Sequence, residues 1–196
     1  MSETRDRIIT ATNELFRRQG FHATGLKEIS TASGATIGSI YHFFPGGKER
    51  LGVAVIESTG AAYRELFDAI LDESPDDDPA SGFERFFAAA ADTLAESDYI
   101  DPCPIGTVAR EIANTSEPMR LAADGVFASW VDAARSRLTS AGVGQEDTGR
   151  LATVFVAMVE GSFVLSRTSR SADALLAAGR TVGDLVRNAA AANAGT

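Results

Sequence analysis

Apolar residues recur at three- and four-residue spacing along almost the whole chain, and no stretch shows the period of two that marks a strand. The sequence therefore predicts an all-α fold of about nine helices. The first is expected from about Thr4 to Gln19, where Ile8, Ile9, Ala11, Leu15 and Phe16 form a wide apolar stripe and Gly20 stands where a helix ends. Two short segments follow, one with Leu26, Ile29 and Ala32 on one face, the other with Ile37, Ile40 and Phe44. Longer helices are expected over about 48–72, 82–96 and 105–114. Another opens at Ser116, with Glu117 and Pro118 in its first turn. The last two cover about 147–167 and the stretch after Ser171. Two prolines and three aspartates in Glu73 to Ser81 read as a solvated loop.

Helix 147–167 is apolar on more than one face and is expected to be covered on both sides. The last helix combines Leu175, Val182 and Val186 with the small residue Gly179. Such a pair can dock on a second copy of itself, and Val159, Phe163, Leu175, Val182 and Val186 are the expected interface of a homodimer.

The two short segments carry the most specific signal. Thr24 and Thr36 stand just ahead of them, where a hydroxyl can cap free backbone N–H groups, and Gly34 lies at the sharp turn between. This is the form of a DNA-reading helix-turn-helix, whose second helix leaves Gly38, Ser39, Tyr41 and His42 facing outward. Two domains are expected: 1–51, binding DNA, and 52–196, for effector binding and dimerisation.

A formal net charge of -9 looks unsuited to nucleic acid, but it is unevenly spread. Residues 1–51 hold seven Lys/Arg against five Asp/Glu, a balance of +2, and both lysines of the chain, Lys27 and Lys48, lie there. Phosphate attraction is screened over roughly 8 Å at physiological salt, so a modestly basic face suffices while an acidic body stays clear. No uninterrupted apolar stretch approaches the roughly 20 residues of a membrane span, and the N-terminus lacks a signal-peptide core, which points to the cytoplasm. The single cysteine, Cys103, leaves no internal disulfide and no metal cluster, and no cofactor is expected. Catalysis finds little support: both histidines, His22 and His42, are far in sequence from Cys103. Pro45-Gly46-Gly47-Lys48 lacks the first glycine and the Ser/Thr of a phosphate-binding P-loop.

From Arg5 to Leu51 the sequence resembles the TetR family of bacterial transcriptional regulators in order, spacing and residue type. FPGGKERL at the end of that segment, with Cys103-Pro104-Ile105 and Glu160-Gly161 in the second half, resembles the LmrA/YxaF branch, whose members tend to repress drug-resistance or catabolic genes. The resemblance implies phosphate contacts by Thr24, Tyr41 and Lys48, with Thr36, Gly38, Ser39 and His42 where the recognition helix meets the major groove and Lys27 in the same interface. Phe43 departs from the histidine common in the family, so one backbone contact is expected to be missing.

The resemblance further implies a palindromic double-stranded operator and a small effector that releases it. Phe67, Phe86, Phe87, Phe127, Trp130 and Phe155, with Cys103 and Met158, suit a pocket for an apolar or aromatic effector, although core packing explains any one of them equally. Glu160 interrupts an apolar helix and needs a partner, either an arginine across the interface or the ligand. The alternative reading is a helical small-molecule-binding enzyme that keeps the fold without binding operator DNA.

Overall fold

The computed structural model describes residues 3–75, 78–100 and 103–195, all but the turns of it helical. Among these residues the helices are α1 (Glu3–Ala23), α2 (Leu26–Ser33), α3 (Ile37–Phe43), α4 (Lys48–Asp72), α5 (Ala80–Glu96), α6 (Pro104–Ile112), α7 (Glu117–Ser140), α8 (Gln145–Ser169) and α9 (Asp173–Ala194). Asp76 and Asp77 of the expected acidic loop lie outside the described residues.

The described residues pack into two units that do not follow chain order: 3–62 with 103–126, and the remainder. In the first, Ile8, Phe16, Ile29, Ile40, Phe44 and Leu51 are buried together, and the Phe16 and Phe21 rings meet edge to face at 5.5 Å. Pro104 opens α6, which buries Ile105, Val108 and Ile112. Two glycines of α4 let α7 approach closely. A Cβ on Gly52 would strike the end of Met119, and one on Gly60 would strike Val126.

The second unit is built on Phe67, Phe83, Phe87, Leu94, Leu138, Leu151, Phe155, Val182 and Val186. In α9, Gly179 faces the Phe87 side chain and Gly183 faces Glu84, so α5 and α9 pack closely. Arg187 of α9 adds ion pairs to Asp78 at 3.1 Å and Glu84 at 2.7 Å. By length and composition α8 could cross a membrane, with a mean hydropathy of 1.4 in its most apolar window. Here it is a core helix that buries Leu151, Ala152, Phe155, Val156, Val159 and Phe163.

Several expectations are corrected. The first helix does break at Gly20 (φ 83°, ψ 176°), as expected, but one further helical turn to Ala23 follows the break. That backbone conformation is open essentially only to glycine. The N-cap of α2 is Gly25, with no side-chain cap, because the Thr24 hydroxyl turns back to donate to the Gly20 carbonyl at 2.7 Å. Ala32 is exposed while Ser33 is buried, its hydroxyl bonded to the Ile29 carbonyl at 2.7 Å. Ile37, placed by its spacing with the core residues, is 43% exposed. On α8 the single chain leaves Val164 and Leu165 exposed, so it covers only part of that helix by itself.

Candidate nucleic-acid interface

The turn between α2 and α3 is built as its residue types dictate. Gly34 takes the left-handed conformation (φ 65°, ψ 14°) that closes α2. Thr36 caps α3, its Oγ1 accepting from the Ser39 N–H at 3.1 Å and lying 2.9 Å from the Ser39 hydroxyl. Ile40 and Phe44 anchor α3 in the core. Thr36, Ile37, Gly38, Tyr41 and His42 are then left exposed, with Ser39 half-buried beside them. A Cβ on Gly38 would meet only the Thr36 hydroxyl, at 3.7 Å, so nothing within the chain requires a glycine there. The Tyr41 ring lies over Gly47, whose positive φ of 68° forms the turn into α4. Lys27 is exposed on α2.

Two of the expected phosphate donors are engaged within the chain. Thr24 is 1% exposed, with its hydroxyl committed to Gly20. Lys48 is half-buried; its Nζ donates to the Thr24 carbonyl at 2.7 Å and stands 4.3 Å from the centre of the Phe21 ring. Burial holds its ammonium below the ordinary lysine range, a shift that the negative charge of Glu111 opposes in part. The sequence could not show this, because the acceptor is a backbone carbonyl 24 residues away. Ile37 is the converse case: its spacing is that of a core residue, but among the described residues it is left exposed on the first turn of α3.

The expected effector residues fall into separate groups. Phe67, Phe86, Phe87 and Phe155 form one ring cluster with centroids 5.3 to 6.3 Å apart. Phe127 and Trp130 meet edge to face at 5.5 Å, with Tyr63 6.1 Å from Trp130. Met158 is half-buried on α8. Cys103 is buried at the start of α6 and belongs to the first unit. A small apolar cleft of about 10 Å³ is lined by Phe83, Leu138, Val154, Phe155, Val182 and Leu185, among others. Only Phe155 among the expected effector residues lines it.

All five expected interface residues, Val159, Phe163, Leu175, Val182 and Val186, are at most 9% exposed within a single chain. The apolar side chains that α8 and α9 leave outside are Val164, Leu165, Leu176 and Leu185.

Residues 8–55 match the family of bacterial regulatory proteins named for TetR, and residues 79–181 match the C-terminal domain of LmrA/YxaF-like transcriptional regulators. The chain is 36% identical over 185 residues to the HTH-type transcriptional regulator YxaF of Bacillus subtilis, across 94% of this chain and 96% of that one. It is 30% identical to LmrA of the same organism, across 94% and 97%. The crystal structure of regulatory protein TetR from Rhodobacter sphaeroides has a TM-score of 0.82 at 26% identity, over 93% of this chain and 98% of that one. With a helix-turn-helix of this geometry and both matches on one chain, the protein belongs to the TetR family of DNA-binding transcriptional regulators and carries a C-terminal domain of the LmrA/YxaF type.

Proposed function

We propose that the protein is a cytoplasmic, homodimeric repressor that leaves a palindromic operator when a small apolar or aromatic effector binds. In this reading residues 1–51 form the DNA-reading domain and 52–196 the effector-binding and dimerisation domain. The α3 surface enters the major groove: Ile37, Gly38, Ser39 and His42 meet base edges, while Thr36, Tyr41 and Lys27 fix the backbone. The buried hydroxyl of Thr24 is not counted among the contacts, and Lys48 acts first on the α1–α2 joint. The dimer forms through the outer faces of α8 and α9, around Leu165 and Leu176. No role in catalysis is assigned.

The observation that carries the effector reading is the ring cluster of the second unit, where Phe155 is shared between four aromatic partners and an open apolar cleft. The space there is only about 10 Å³, far below the roughly 300 Å³ at which drug-sized pockets begin, so an effector has to move the rings apart to enter. Two recognition helices must enter grooves roughly 35 Å apart, so a small change in the pitch of α4 is enough to misplace them.

The test starts from a duplex selected on the wild-type protein and a ligand found by quenching of Trp130, the only tryptophan in the chain. Saturating ligand should weaken operator binding, and operator should weaken ligand binding by the same factor, because coupling between two sites is reciprocal. A ligand that leaves operator affinity unchanged at saturation would falsify the switch.

A further inference from the structure

The break at Gly20 leaves a short problem in backbone chemistry. The helix departs from its path there, which gives the turn 21–24 an amide end and a carbonyl end of its own. Two other helices supply partners for them. From α6, the Glu111 carboxylate accepts the His22 N–H at 3.0 Å, while the Glu111 carbonyl lies 3.4 Å from His22 Nε2. From α4, Lys48 Nζ reaches the carbonyls of Thr24 at 2.7 Å and His22 at 3.5 Å. An anion thus closes the amide end and a cation the carbonyl end, the polarity that the peptide dipoles of a helical turn favour.

Glycine is required at the break on two counts. Its positive φ suits no other residue, and a Cβ there would collide with the Glu111 carboxylate. The carboxylate therefore occupies the notch that the absent side chain leaves. The same α6–α7 corner makes a second polar contact with the reading head, where the Ser116 hydroxyl donates to Glu49 in the first turn of α4 at 2.6 Å.

The geometry points to Glu111 as a positioning residue for DNA binding: lodged at Gly20 and closed on the His22 amide, it fixes the angle at which α1 passes into the helix-turn-helix. This rests on the operator-binding reading above. A displacement of α6 would withdraw the carboxylate from its notch and loosen the joint that aims α3.

The full-length protein and its Glu111→Ala and Glu111→Gln variants decide the matter, using fluorescence anisotropy with a duplex selected on the wild type and amide hydrogen exchange at His22. Glutamine keeps an acceptor oxygen of the same reach and alanine does not. Glu111→Ala should weaken the duplex about tenfold or more and speed His22 exchange by a similar factor, with amides of α8 and α9 unchanged, while Glu111→Gln stays within about threefold of wild type in both. Wild-type affinity in the alanine variant, equal losses in both variants, or unchanged His22 exchange in the alanine variant would each overturn the proposal. A selection that enriches no duplex overturns the operator reading together with it. An enriched duplex that all three proteins bind equally overturns the positioning role alone.

Discussion

Gly38 occupies an exposed helical position where alanine would fit, and glycine costs a helix interior roughly 0.5–1 kcal/mol relative to alanine. In the operator-binding reading proposed above, the bare backbone serves the approach of the duplex. Gly38→Ala is accordingly expected to raise thermal stability while weakening the selected operator about tenfold, two changes of opposite sign read by a melting curve and a binding titration. A variant both more stable and undiminished in binding would detach Gly38 from the interface. At this scale the sequence was informative where a partner is local. Thr36 bonds three residues ahead, and its capping role was legible. Thr24 has the same side chain in the same kind of place, yet its hydroxyl is drawn to Gly20 by a break whose form depends on α6 and α4.

The helices themselves were largely visible in the pattern of apolar spacing, down to the start of α4 at Lys48 and its end at Asp72. Which face of a helix another element covers was not. Val159 and Val182 have the spacing of interface residues but belong to the core of their own chain. A charge at either should therefore unfold the protein rather than divide a dimer. The interface is tested instead at Leu165, 62% exposed on α8. Leu165→Glu should sediment as a monomer with wild-type far-UV ellipticity, while the wild type sediments at about twice 20.6 kDa. Wild-type monomers at micromolar concentration would remove the dimer.

A polar tie between α4 and α7 gives a pH signature. Burial would raise the Asp68 carboxyl, but hydrogen bonds from Arg64 at 2.7 Å and Arg137 at 3.0 Å, with their charges, outweigh it and hold the group below the ordinary carboxylate range. Its stabilisation is therefore complete above the unfolded carboxylate pKa and fades as pH falls through the lower folded value. Asp68→Asn should cost about 1 kcal/mol in urea unfolding at pH 7, a figure reduced for the 30% exposure of the side chain, and almost nothing near pH 2. An equal deficit at both pH values would mean that the side chain acts through packing rather than charge.

At the scale of the whole molecule, the division read from the sequence was linear, with a reading head of 51 residues followed by a body. Packing groups the described residues otherwise: 103–126, more than forty residues beyond the end of the first segment, share a unit with 3–62. A linear scan cannot show this, since the joining contacts pair positions such as 22 with 111, 49 with 116 and 52 with 119.

This interleaving bears on how such regulators can be recombined. A chimera that grafts a foreign operator-reading head onto this body at residue 51 would import an α1–α2 joint shaped for another protein's α6, while the native Glu111, Ser116 and Met119 would face surfaces they do not fit. Heads should exchange cleanly only between relatives that match at both sides of those contacts, or when residues 103–126 travel with the graft. In the operator-binding reading the portable module is thus a discontinuous one, with seams after residue 62 in α4 and after residue 126 in α7.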